Sequence, residues 1–193
     1  MKKSLVYLAL LHYPMYNKRR DIITTSVTNL DLHDISRAAR TYDADGFFII
    51  HPSWSQHSLI REILEYWQEG YGGEYNPDRK EAFALVRTAE NLDQVLHLIE
   101  QEKGLPVETV ATDARVYPRT ISYRDMRQKI KTEEKAFVLL FGTGWGLERE
   151  FLSRSHYILE PVEAGRDYNH LSVRSAVSII LDRLLGESWF ETV

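Results

Sequence analysis

The stretch Ala136–Glu150, AFVLLFGTGWGLERE, sets a continuous apolar run against three glycines and a tryptophan. A short uninterrupted hydrophobic segment that ends in a turn signal is what a strand covered on both faces looks like. Gly142, Gly144 and Gly146 then allow left-handed backbone and the close approach of another group to the main chain. The spacing is G-x-G-x-G. It lacks the lysine and Ser/Thr of a phosphate-binding P-loop. It also misses the G-x-G-x-x-G dinucleotide fingerprint and sits late in the chain. On spacing alone, a structural turn and a ligand loop stay equally open.

Working outward, strand-like runs occur at Leu5–Leu11, Phe47–Ile50, Val107–Ala111, Phe137–Phe141 and Tyr157–Leu159. Helical periodicity falls between them. Leu32, Ile35, Ala39 and Tyr42 share one face, with Asp31 or Asn29 placed as cap, and further helices are expected over 56–69, 78–87, 91–102, 122–131 and 169–185. Strands alternating with helices imply βαβ units, hence an α/β fold with a mostly parallel sheet and helices on both faces. No repeat or linker divides residues 1–193, which read as a single domain.

The bulk properties narrow the function. With 44% hydrophobic and 27% charged residues the chain is globular, and the absence of cysteine removes disulfides, zinc thiolates and thiol chemistry and suits a cytoplasmic address. The opening MKKSLVYLALLHYP has too short an apolar core and no small-residue cleavage site for a secretory signal, and no stretch is long enough to span a bilayer. A net charge of −4 argues against a globally basic nucleic-acid binder, while Lys18, Arg19 and Arg20 form one local basic patch and Arg115, Arg119, Arg124 and Arg127 another. The histidines show no metal-ligand spacing, so no metal site is expected.

In an open parallel sheet, ligands bind beyond the carboxyl ends of the strands. That rule selects His12 and the polar segment after it, HPSWS at 51–55, TDARVYPRT at 112–120, the glycine loop, and EPVEAGRDYNHLS at 160–172. His12, His51 and His170 are candidate pocket residues. Trp54 and Trp145 are candidates to stack on a base, although large aromatics more often fill a core or an interface.

LLFGTGWGL followed by YILEPVEAGRDYNHLSVRSAVSIILDRLLG resembles the last two motifs of the SPOUT (α/β-knot) RNA methyltransferases, and TNLDLHDISRAARTYDADGFFII is similar to their first. The resemblance runs from Thr28 to Leu185 in the expected order and points to a stand-alone bacterial group related to tRNA guanine-N1 methyltransferase. It implies a deep C-terminal trefoil knot, S-adenosyl-L-methionine as cofactor with S-adenosyl-L-homocysteine as product, and a cytoplasmic homodimer sharing its tRNA or rRNA site across the interface. By the same resemblance, the cofactor would meet Thr112, Asp113, Phe141, Gly142, Thr143, Gly144, Trp145, Gly146, Leu147, Ile158, Leu159, Glu160, Pro161, Leu171 and Ser172. Backbone amides of Thr143–Leu147 and Ile158–Glu160 would read the adenine edge. RNA would meet His12, Lys18, Arg19, Arg20, Asn29 and His170, with Arg37 and Asp167 as catalytic candidates.

Each of those roles has a plainer alternative. Arg37 is equally an exposed helix arginine paired with Asp31 or Asp34, Asn29 a helix cap, and Asp167 an anion in a cap position. The loop lacks the glutamate common in the ribose-methylating branch, with Thr143 and Gly144 in its place, and His170 stands where that branch has asparagine. Base and ribose methylation therefore both remain open. A small-molecule methyltransferase and a non-catalytic RNA- or partner-binding module are the alternatives. An accessory RNA-binding protein is a further expected partner.

Overall fold

The computed structural model describes residues 2–163, 165 and 167–187. In chain order these form β1 (Leu5–Leu11), the short pair β2 (Met15–Tyr16) and β3 (Ile22–Ile23), α1 (Asn29–Thr41), β4 (Gly46–Ile50) and α2 (Trp54–Gln68). There follow α3 (Tyr71–Tyr75), α4 (Pro77–Phe83), β5 (Val86–Ala89), α5 (Leu92–Lys103), β6 (Val107–Ala111), β7 (Thr120–Ile121) and α6 (Tyr123–Thr132). The chain continues through β8 (Ala136–Gly142), α7 (Arg149–Arg154), β9 (Tyr157–Leu159) and α8 (Val173–Leu185).

Seven strands make one parallel sheet in the order β5-β4-β1-β8-β6-β9-β7, while β2 and β3 pair antiparallel outside it. The continuous apolar runs of β1 and β8 are explained by burial on both faces. Val6, Leu8, Leu10, Phe137, Leu139 and Phe141 face a core built with α1, α6 and α8. Tyr7, Ala9, Leu11, Val138 and Leu140 face the second core, with Val95 and Ile99 of α5 and Leu152 of α7. Successive side chains of a strand point to opposite faces, so a fully apolar strand needs a helix layer on each.

Several local expectations are corrected. The helix expected over 78–87 ends at Phe83, because Val86–Ala89 extends to pair in parallel with Phe47–Ile50. The cap of α1 is Thr28 rather than Asn29 or Asp31: its Oγ1 accepts from Asp31 N at 3.2 Å and donates to Asp31 Oδ2 at 2.5 Å. The last helix begins at Val173, with Ser172 Oγ accepting from Ser175 N, so 169–172 stay outside it. Asp31 and Asp34, the partners that the plainer reading of Arg37 offered it, are engaged by Arg174 of α8 at 3.8 and 3.2 Å, which ties α8 to α1.

Leu139 lies at the centre of β8 with no exposed surface. Leu139→Ala is expected to destabilise the protein by about 2–5 kcal/mol, read as a lower denaturant midpoint at unchanged slope. Leu30→Ala, at an exposed position on α1, should leave the midpoint nearly unmoved.

Candidate functional site

The connection from β1 leads to α1 on one face of the sheet, and that from β8 leads to α7 on the other. Since β1 and β8 are neighbours, their carboxyl ends form a topological switch point, where parallel sheets open a crevice. A cavity of about 1010 Å³ lies there, lined by the segments following β1, β6 and β8 and by 168–173 leading into α8.

The glycine loop is its most constrained wall. Gly144 and Gly146 sit at φ 58° and 92°, in the left-handed region. Trp145 N donates to Tyr16 O at 3.0 Å, Tyr16 N donates to Gly146 O at 3.0 Å, and Met15 bridges Leu147. Thr143 N turns to Met15 Sδ at 3.2 Å, and Gly146 N to Thr143 O at 3.1 Å. The amides of Thr143, Trp145 and Gly146, expected to face adenine, are therefore committed within the protein, and the β2 segment serves as the loop's partner.

Beneath the loop runs a buried polar chain. Thr143 Oγ1 donates to Leu11 O at 3.1 Å or to Thr25 Oγ1 at 2.5 Å, and Thr25 Oγ1 also lies 3.5 Å from His12 O. Thr25 Oγ1 hydrogen-bonds His12 Nδ1 at 3.0 Å. His12 Nε2 is fully buried and without a partner among the described residues. Burial, and then the charge of nearby His51, push the His12 pKa down to about 4. His51 is fixed beside it: Nδ1 accepts from Ser53 N at 2.9 Å and Nε2 donates to Thr25 O at 3.1 Å.

Charge gathers at the rim. Lys18, Arg20, Arg115 and Arg149 line the cavity against two carboxylates, Asp31 and Asp113, an excess of cations in a chain of net charge −4. Asp113 is nearly buried and held on both oxygens by Arg115 at 2.8–2.9 Å, with Tyr117 OH donating at 3.2 Å. Thr112 Oγ1 donates to Leu140 O at 2.9 Å. Asn169 Nδ2 donates to Ala114 O at 2.9 Å and ties the 168–172 segment to the loop after β6.

Of the residues named from the sequence, Thr112, Asp113, Phe141–Gly146, Lys18, Arg20, His170, Leu171 and Ser172 line this cavity. Leu147, Ile158, Leu159 and Pro161 are buried in the body of the fold instead. Glu160 Oε1 accepts from Tyr123 N at the start of α6, and His12 lies under the floor. Arg19 is exposed on the hairpin outside the lining, and Asp167 is exposed outside it too. Asn29 borders a separate groove between α1 and α2. Arg37 is exposed on α1, makes no ion pair among the described residues, and does not reach its own chain's cavity. Tyr16, Thr25, Arg149, Tyr168 and Asn169 went unnamed, although each lies within a few residues of a named motif. No helix of the described residues is long and apolar enough to cross a membrane, and no group of three or more acidic, histidine or cysteine side chains is placed to hold a metal.

Comparison with known proteins decides the family. A family model described as SAM-dependent RNA methyltransferase matches residues 5–186. The chain belongs to that family. A protein of Aquifex aeolicus is 44% identical over 183 residues, covering 95% of this chain and 89% of its own. A tRNA (guanine-N(1)-)-methyltransferase of Oleidesulfovibrio alaskensis is 40% identical over 95% of this chain, but the match takes in only 42% of that longer protein. Among solved structures, the SpoU methyltransferase AviRb of Streptomyces viridochromogenes, in complex with AdoMet, superposes with TM-score 0.58 at 16% identity, over 96% of this chain and 58% of that one. Such a likeness speaks to the fold, and it agrees with the SPOUT resemblance of the three sequence motifs.

The chemistry of the cavity suits the cofactor of this SAM-dependent methyltransferase. Phe141, Leu171, Val173, Ala176 and Ile180 offer apolar surface for an adenine, Asp113 a carboxylate for an ammonium or a ribose, and Arg115 a guanidinium for a carboxylate.

The polar floor generates a pH prediction. Unfolded His12 takes a proton below pH about 6.5, whereas folded His12 resists until about 4. The unfolded state therefore binds more protons in that window, and stability must fall as pH drops through it, by up to roughly 3 kcal/mol from this residue. His12→Gln should remove that part of the slope. Denaturant midpoints between pH 7.5 and 4.5 check this; parallel curves for wild type and variant would count against the assignment.

Proposed function

We propose that the cavity between β1, β6 and β8 binds S-adenosyl-L-methionine and presents it to a nucleotide of tRNA or rRNA. The observation that supports this best is the cavity itself: glycine-walled, polar and apolar by turns, rimmed by cations, at the switch point of a SAM-dependent RNA methyltransferase fold. tRNA is the favoured substrate, by analogy with the longer O. alaskensis relative. The matched segment is less than half of that protein, so base and ribose targets both remain within the proposal.

The cofactor brings a methyl group already activated by its sulfonium charge. The residues' task is then to hold and orient. The glycine loop gives a wall whose shape is set by the Tyr16 backbone, Thr112 and Asp113 hold the polar end, and Leu171 covers an apolar face. Fixing the acceptor in line is the main source of acceleration. Where the acceptor atom carries a proton, a base must take it, and Asp167, which precedes the cavity-lining Tyr168 in the chain, is our candidate.

We further propose that the protein works as a cytoplasmic homodimer and that Arg37, exposed on α1 and without an ion pair among the described residues, serves the partner's cavity. The knot belongs to the same proposal. β6 and β7 are joined directly by residues 112–119, yet β9 lies between them; the chain enters β9 from α7 on one face and leaves toward α8 on the other. That placement supports passage of the C-terminal segment through the loop that 112–119 closes.

Calorimetry should detect SAM binding to wild type, with Asp113→Asn weaker by about tenfold or more. Tritium transfer from labelled SAM to bulk tRNA and rRNA tests the reaction. Absence of binding heat and of transfer would refute the reading. Arg37→Ala and Asp113→Asn should each be inactive alone, and mixing them after reversible dissociation should restore about a quarter of wild-type activity, since half the dimers would carry one intact site. No recovery would exclude a shared site.

A further inference from the structure

Trp145 is one of two large aromatics of the cavity, with Tyr168, that stand mostly in solvent. It stands at the crest of the glycine loop between two left-handed glycines, and its backbone is clamped by the Tyr16 carbonyl, yet its side chain is 59% exposed. Among the described residues its indole stacks on no other ring. A large aromatic held rigidly in solvent at the lip of a cavity loses apolar burial without gaining a fold contact. Trp54, the other exposed tryptophan among the described residues, lies outside the cavity lining.

Its surroundings specify a ligand. Tyr168, 78% exposed, meets His170 edge-on at 5.5 Å on the segment leading into α8, and both line the same cavity. Lys18 and Arg20 rise from the β2–β3 hairpin that holds the tryptophan's backbone, and neither makes an ion pair among the described residues. Aromatic faces beside unpaired cations are the means by which proteins hold unstacked nucleotides: the base lies on the ring and the phosphates meet the cations. The cavity volume, at the upper end for a single small-molecule ligand, leaves room for such a base beside a cofactor.

We propose that Trp145 is the platform on which the splayed-out target base of the RNA stacks, with Lys18 and Arg20 seating its flanking phosphates. The proposal rests on the RNA methyltransferase reading and adds the device that presents the acceptor. Because the hairpin and the glycine loop are one hydrogen-bonded unit, phosphate contact and base stacking act on the same rigid piece as the cofactor wall.

The test uses the full chain, labelled SAM and total RNA from a strain lacking the gene. Trp145→Ala should raise the KM for RNA by about tenfold or more, the scale of one lost stacking contact. Its Kd for SAM by calorimetry should stay within about threefold. Trp145→Phe, which keeps an aromatic face, should recover most of the RNA affinity. The Lys18→Ala/Arg20→Ala variant should flatten the logarithmic salt dependence of RNA binding by about 1.4, or 0.7 for each single-strand phosphate contact. An unchanged KM in Trp145→Ala would overturn the proposal. So would a parallel loss of SAM affinity, which would put the indole on the cofactor. Wild type that methylates RNA normally beside either result would leave the enzyme reading standing; wild type that methylates no RNA would remove both.

Discussion

The backbone of Tyr16 holds the site together. By exchanging hydrogen bonds with Trp145 and Gly146, each at 3.0 Å, it makes the segment after β1 a partner for the loop after β8. A G-x-G-x-G turn left to itself would be costly in conformational entropy, since glycine surrenders more freedom on folding than any other residue. Pairing with a neighbouring segment fixes it. The loop thus acquires one shape, and the cavity one wall, before any ligand arrives. Preorganisation of this kind lowers the cost of binding and of orienting reactants.

The second constraint lies just below. A continuous chain of side-chain hydrogen bonds runs from His12 through Thr25 and Thr143 to the Leu11 carbonyl. It joins the floor, the hairpin segment and the glycine loop by side chains as the Tyr16 exchange joins them by backbone. Burying a neutral imidazole with one nitrogen unpartnered is a cost, and the other nitrogen is tied through Thr25 to the glycine loop. The polar groups that the cofactor proposal uses, Thr112 and Asp113, stand on the adjacent β6 terminus and are held by Leu140, Arg115 and Tyr117.

The central strands were legible because double burial writes an unbroken apolar run, as in Phe137–Phe141 and Leu5–Leu11. From them the strand-end rule led to the glycine loop, Thr112, Asp113 and the 170–172 segment. What escaped the sequence was set by partners. Val86–Ala89 carries the apolar spacing of the helix before it and becomes a strand only beside β4. Residues 15–16 and 22–23 are too short to show alternation, yet they determine which loop amides are free. Pairing along its own helix was one of two readings of Arg37; the competitor for those carboxylates, Arg174, comes from another helix 137 positions away in a chain of 193. His12 and His51 sit at strand ends, as a pocket residue would, and only packing reveals that they lie beneath the floor.

The central claim is that the glycine-walled cavity is the cofactor's seat. Amide hydrogen exchange with and without S-adenosyl-L-methionine tests it most directly. The account predicts added protection concentrated in residues 112–115, 141–147 and 168–173, with β4, β5 and α2 unchanged. Protection centred on the groove between α1 and α2, with the glycine loop unaffected, would contradict it.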